Sequence, residues 1–350
     1  MSIAITDFLP EEIAERLEIK VYHARQIFRW IHAKQVFDFN AMTDLSKTMR
    51  EELRAGVVLP QIHPIEVLSS REREATRKSL FGLCDGEAVE AVAIPEGERL
   101  TLCLSTQVGC PLRCAFCATG LSGFKRNLSA GEIVEQALHL LGDRDLQERT
   151  PNIVFMGMGE PFLNYDATLK AIRMFMRKDG LNIGARKVTV STAGDVPGIE
   201  RFAGEKWQVR LSISLHAAND ALRSKLVPLN RKYPLARLLE AVRGYGERTG
   251  RQVTFEWTLI RGVNDSALNA RQLLELTRGL KAFVNLIPYN RVEELPYEPS
   301  PPETCEAFLR ILEEGGMNAT LRKERGGDIN AACGQLRARH ITVAEGDVLA

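Results

Sequence analysis

The feature that most narrows the fold of this 350-residue chain is a rhythm that begins near residue 100. Six strand-like runs, LTLCLST, NIVFMG, KVTVST, VRLSISLH, VTFEWTLI and FVNLIPYN, alternate with helical stretches such as AGEIVEQALHLL, YDATLKAIRMFMRK, LARLLEAVRGYGERT and ALNARQLLELTRGL. Strand–helix–strand units of this kind join parallel neighbours by right-handed crossovers. The rhythm therefore predicts an α/β fold with a parallel sheet curled toward a TIM-like barrel. Six units are too few for eight-stranded closure, so the barrel is partial, (βα)6, and its side stays open to a large substrate. Ligands in such sheets sit at the carboxyl ends of the strands.

Upstream, residues 1–65 form a small helical domain in this reading. It contains EEIAERLEIK, HARQIFRWIHAK with Ile27, Trp30 and Ile31 on one face, and TDLSKTMREELRAG. Pro60 and Pro64 suggest a linker. RKSLFGL and EAVEAVAI flank Asp85-Gly86, a hairpin signal, so residues 66–95 read as a hairpin extension. The barrel takes residues 96–330 and a tail takes 331–350. No apolar run of about 18 residues offers a membrane span, and the N-terminus turns acidic before a signal-peptide core could form. Seven unevenly spaced cysteines do not resemble a disulfide framework, which points to a reducing cytoplasm. The net charge of +1 does not announce a nucleic-acid binder. Local basic clusters do exist: Arg71, Arg73, Arg77 and Lys78; Lys125 and Arg126; Arg322, Lys323 and Arg325. Such runs are more often solvated surface than RNA contacts, and alone they decide nothing.

CPLRCAFCATG places Cys110, Cys114 and Cys117 within eight positions, directly after the first barrel strand. Structural zinc sites use four ligands and disulfides use pairs. A [4Fe–4S] cube held by three thiolates keeps one iron open, and that iron can chelate the amine and carboxylate of S-adenosylmethionine (SAM). The spacing C-x3-C-x2-C with Phe116 before the last cysteine is the radical-SAM signature. The alternative is a zinc knuckle that borrows a distant histidine such as His139. GMGEP then ends the second strand, where Gly157 and Gly159 would let backbone approach a ligand and Glu160 could accept a hydrogen bond from it. Ser191, Ser214, His216 and Asn290 also fall on strand ends, with turn or cap roles as the alternative. Glu90 is a carboxylate in an otherwise apolar strand. Burial would make it a better base, unless it is an edge charge that blocks aggregation. Strand alternation puts Cys103 on a face with Thr101 and Ser105, opposite Leu102 and Leu104.

CPLRCAFCATG, GMGEPFLN, SLHA and GGDINAACGQL together resemble the RlmN/Cfr family of radical-SAM RNA methyltransferases, and "ARQIFRWI…DFNAMTDLSK…R" resembles the RlmN branch. The resemblance implies one [4Fe–4S] cluster on Cys110, Cys114 and Cys117. It places SAM against Gly159, Glu160, Ser191, Ser214, Leu215, His216 and Asn290. It also implies methylation of adenosine C2 in the peptidyl-transferase loop of 23S rRNA, and of the adenosine 3′ of the tRNA anticodon. In that chemistry Cys333 carries the methyl, Cys103 resolves the adduct through a disulfide, and Glu90 accepts a proton. Cys84 and Cys305 match no family role and read as core thiols. An electron donor such as flavodoxin and a monomeric chain complete the expectation. Two alternatives remain: C8 methylation as in the Cfr branch, and a zinc-containing RNA-binding module.

Overall fold

A computed structural model describes residues 3–338 apart from 144, 147, 148 and 324. The end of the C-terminal tail, 339–350, lies outside the described residues.

Ten strands make one sheet and cross it in chain order. They are β1 (Ile62–Ser69), β2 (Arg77–Leu83), β3 (Ala88–Glu96), β4 (Arg99–Cys103), β5 (Asn152–Phe155), β6 (Val188–Thr192), β7 (Arg210–Ser214), β8 (Val253–Leu259), β9 (Ala282–Pro288) and β10 (Ala319–Leu321). From β1 to β4 neighbours run antiparallel, and from β4 to β10 they run parallel. β4 is the pivot between the two halves. The six predicted barrel strands are β4–β9, and β10 is a seventh parallel strand that the sequence rhythm did not announce. Ile94 on β3 and Leu321 on β10 line one cavity, so the parallel sheet curls until its ends approach. This is a partial barrel.

The expected linker at Pro60–Pro64 is instead the start of β1, which pairs with β2 along its length. Pro64 sits where the register shifts, and β1 is the sheet's edge, so the missing N–H costs no ladder bond. The predicted hairpin is β2–β3, with Cys84 exposed at its turn rather than in the core; Cys305 is buried.

Three helices precede the sheet: α1 (Pro10–Arg16), α2 (Val21–His32) and α3 (Lys47–Gly56). The buried stripe of α2 is Ala24, Ile27, Phe28 and Ile31, spaced as a helix face requires. Trp30 sits at its edge, half-buried, with Lys34 over its ring. After β4 come α4 (Ala118–Leu121) and α5 (Ala130–Leu141). The later crossovers carry α6 (Tyr165–Met176), α7 (Val196–Phe202), α8 (Asp220–Leu226), α9 (Leu235–Thr249), α10 (Ala267–Leu276) and α11 (Pro302–Glu314).

Helix α5 starts at a capping box in which Ser129 and Glu132 satisfy each other's backbone donors. It is buried almost all round because the helical domain covers its outer side. Glu135 on α5 accepts from the Thr6 hydroxyl (2.6 Å) and from the amides of Gln61 (2.8 Å) and Ile62 (3.0 Å). A fully buried carboxylate thus ties the N-terminal segment to the barrel.

Candidate active site

Past Cys103 the chain leaves β4 and pairs Gln107–Gly109 with Phe124–Asn127, which delivers Cys110 to the C-terminal mouth of the barrel. Gly109 has φ +74°, and a Cβ there would collide with the Gly123 carbonyl, so only glycine lets the two arms close. The Cys110 amide then bonds that same carbonyl at 2.8 Å. Cys110, Cys114, Phe116 and Cys117 line one cavity of about 140 Å3. Burial raises the Cys110 thiol to about 12 and Cys114 well above the ordinary thiol value, and neighbouring thiolates push further. Three thiolates here require a strongly cationic group between them. Among the described residues no three His, Cys, Asp or Glu side chains, these cysteines included, stand close enough to hold a single ion. Three thiols on one short loop are one donor fewer than structural zinc takes and leave one iron of a [4Fe–4S] group open. His139, the possible zinc partner, instead stacks on Phe37 with ring centroids 4.8 Å apart.

Glu160 lines the same cavity. Its carboxylate accepts from the amides of Phe162 (3.1 Å) and Ala193 (2.8 Å), which fixes its direction. Burial nevertheless pushes it up to about 7. Gly159 adopts φ +106°, and a Cβ there would strike Gln107; at Gly157 it would strike the Leu104 carbonyl. Packing of strand ends already demands both glycines, before any ligand arrives.

Ser191, Ser214 and His216 line the cavity as well. His216 has φ +58°, and its Nδ1 accepts from the Thr258 amide at 3.0 Å. Burial lowers its pKa to about 3, so the ring is neutral and its proton lies on Nε2, aided by the charge of Arg223. Leu215 is fully buried and does not line the cavity; its carbonyl accepts from Arg223 Nε at 3.1 Å. Asn290 borders a neighbouring cavity, where its Nδ2 donates to the Cys333 carbonyl at 3.1 Å.

That neighbouring cavity, about 50 Å3, is lined by Cys103, Met156, Asn290, Arg322 and Cys333. Cys333 borders the cluster-side cavity too. Burial pushes Cys103 up to about 12 and raises Cys333, while Arg322 opposes both shifts. The tail is strapped in place: Ala118 N–H donates to the Gly334 carbonyl (2.7 Å) and the Thr119 hydroxyl to the Leu336 carbonyl (2.6 Å). The cluster loop therefore positions Cys333.

Glu90 departs from expectation. It is buried but not isolated, because Lys78 Nζ lies 3.0 Å from Oε1 and the Arg337 amide donates to Oε2 at 2.7 Å. It lines a separate cavity of about 470 Å3 with Lys78 and Arg337 rather than the cavities of the thiols. Its strand face is the right one, since Val92, two residues on, pairs with Cys103.

Four side chains at the site escaped the sequence reading. Glu256 is buried in the lumen and accepts from Ser212 (2.6 Å) and Asn285 (2.7 Å). It carried the same mark as Glu90, a carboxylate in the apolar run VTFEWTL. Arg322 belongs to a basic run but lies half-buried beside the two thiols. Arg223 is fully buried and bonds the carbonyls of Leu215, Ser214 and Ala193, locking the ends of β6 and β7 together. Tyr289 turns a buried hydroxyl without a partner toward the cluster cavity. For Arg223 and Tyr289 no local signal existed.

Fold and site together define a radical-SAM enzyme: the Radical SAM superfamily profile matches residues 104–274, directly across the cysteine loop. The Ribosomal RNA large subunit methyltransferase N-terminal domain matches residues 7–59. A probable dual-specificity RNA methyltransferase RlmN of Moorella thermoacetica is 48% identical over 93% of this chain and 94% of that protein. The corresponding protein of Syntrophomonas wolfei is 44% identical over 94% of each. The crystal structure of a radical SAM methyltransferase from Sphaerobacter thermophilus superposes with a TM-score of 0.93 at 47% identity, over 96% of this chain and all of that one. The chain belongs to the RlmN family of SAM-dependent RNA methyltransferases. Among the described residues no helix is long and apolar enough to cross a membrane.

Proposed function

We propose that the chain methylates C2 of an adenosine in the peptidyl-transferase loop of 23S rRNA, and the adenosine 3′ of the tRNA anticodon. The observation that carries this reading is the meeting of Cys103 and Cys333, far apart in sequence, at one small cavity beside the three-cysteine loop. Adenine C2 lies between two ring nitrogens and is a poor nucleophile, so direct transfer of an electrophilic methyl is badly matched to it. A thiol carrier solves that problem. Cys110, Cys114 and Cys117 would hold the [4Fe–4S] cluster, with Glu160, Ser191, Ser214 and His216 around SAM. When bound, the cluster and SAM supply a methyl group and the radical that activates it.

The chain's own residues do the rest. Cys333 sulfur accepts the methyl and links it to C2. Glu90 takes the proton displaced from C2, and the unpaired electron left on the adduct would return to the cluster. Cys103 thiolate attacks Cys333 sulfur; the S–S bond forms, the C–S bond breaks toward the base, and a proton completes the new methyl. Arg322 favours both thiolates. An external reductant returns the disulfide to thiols, and a donor of the flavodoxin kind feeds the cluster. The helical domain serves as an accessory RNA contact.

The N-terminal domain match and the relatives named dual-specificity favour C2 over C8. The test is mass spectrometry of nucleosides from 23S rRNA and tRNA of a strain lacking the gene. Loss of 2-methyladenosine from both, restored by complementation, is expected. Loss of 8-methyladenosine instead, or of neither, overturns the reading.

A further inference from the structure

Barrel interiors are ordinarily filled by layers of Val, Ile and Leu, and their N-terminal faces serve stability. This barrel breaks both habits. Thr101, Thr189, Ser212, Thr254, Asn285 and Thr320 face inward, and they line a cavity of about 1160 Å3. At its rim stand Arg99, Arg186, Arg210, Arg251 and Lys281, each at or just before the start of a strand. These cations therefore ring the end of the barrel opposite the cluster loop. Among the described residues none of them has a carboxylate within ion-pair distance. Arg251 is half-buried, and its guanidinium lies beside the Tyr245 hydroxyl of α9.

The other basic runs differ. Arg77 pairs with Asp143 and Asp145, Lys78 with Glu90, and Arg126 with Asp85 and Glu132. Two carboxylates share the lining, Glu96, which pairs with Arg325 and lies across from Arg99, and Glu256, but the cations outnumber them. Such an excess repels itself and weakens the fold, so it points to an anionic ligand. The lumen also reaches the chemistry: Ile94, Met156 and Arg322 line both this cavity and the one that holds Cys103 and Cys333.

Resting on the methyltransferase reading, we propose that RNA enters the barrel from its N-terminal mouth. The rim cations hold the phosphates that flank the target adenosine, while the base, turned out of its stack, passes up the polar lumen toward Cys333. Substrate and SAM then approach the thiols from opposite ends.

The test measures binding of the full-length protein to a fluorescein-labelled RNA stem–loop with an unpaired loop adenosine, by anisotropy across a salt series. Arg210→Glu and Lys281→Glu should each weaken binding on the order of tenfold. The gentler Arg210→Gln should flatten the slope of log K against log salt by about 0.7–0.9, the loss of one phosphate contact. Arg243→Glu, exposed on α9, should change neither. All variants should still accept a methyl on Cys333 from SAM without RNA, which shows that they fold. If the wild type binds and the rim variants match it in affinity and slope, the entry route is wrong and the methyltransferase reading stands. If the wild type fails to bind the RNA, both fall.

Discussion

At the C-terminal end of the barrel the buried charges have partners. Backbone amides hold Glu160, Lys78 holds Glu90, and His216 is neutral. At the N-terminal end, Arg210 and Lys281 line the cavity with no ion-pair partner among the described residues. The two ends meet different demands. Radical and thiol chemistry needs water excluded and every ionisable group fixed, whereas capture of a polyanion needs mobile, hydrated cations. One sheet serves both because strand ends are chemically independent of strand starts.

The sharpest break of that contrast is at the cysteine loop. Cys110→Ala, Cys114→Ala or Cys117→Ala should abolish iron binding and SAM cleavage while leaving RNA affinity unchanged. Iron analysis and release of 5′-deoxyadenosine check the first part, and anisotropy the second. A triple variant with full iron and activity contradicts the assignment.

Next in size is the buried ion pair. Lys78→Met strands the Glu90 carboxylate beside the Arg337 amide and should cost about 3 kcal/mol of stability, read by urea denaturation. Glu90→Gln should leave SAM binding intact but stall release of the RNA adduct, because the amide keeps the shape and cannot take the proton. The double variant should be more stable than Lys78→Met alone. Wild-type turnover in Glu90→Gln would return Glu90 to a structural role.

The smallest expected effect lies at the seam between the helical domain and the barrel. Burial raises Glu135 from 4.5 to about 7, outweighing its hydrogen bonds. A group with a raised folded-state pKa favours the fold most below its unfolded pKa, and that contribution fades as pH rises through the folded value. Stability should therefore decline between about pH 4.5 and 7. In Glu135→Gln this part of the decline should vanish, although the amide cannot satisfy all three donors. Urea midpoints across that range check it, and parallel profiles contradict it.

The parallel half of the sheet was legible because each of β4–β9 is an apolar run bounded by a helix with its own periodicity. β10 was not, since three residues carry no period, and β1 was hidden by two prolines that an edge strand tolerates. The cysteine loop was legible because its spacing is local. Glu90 could be found by its odd place in an apolar strand, but not its pairing with Lys78, which depends on register between β2 and β3. Arg322 was misplaced on the surface because charge in a sequence carries no direction. Tyr289 and Arg223 gain their meaning only from tertiary contacts.

The central claim is that Cys333 carries the methyl and Cys103 resolves it, and two variants separate these roles. Cys333→Ala removes the acceptor, so neither methylated enzyme nor RNA product should form. Cys103→Ala should still accept the methyl and add to the base, then lack the thiol that frees it. With SAM, reductant and RNA, Cys103→Ala is expected to accumulate a covalent protein–RNA species, seen as a nuclease-sensitive shift on a denaturing gel, while Cys333→Ala shows none and both keep their iron. Identical behaviour of the two variants, or a crosslink in Cys333→Ala, would contradict the division of labour.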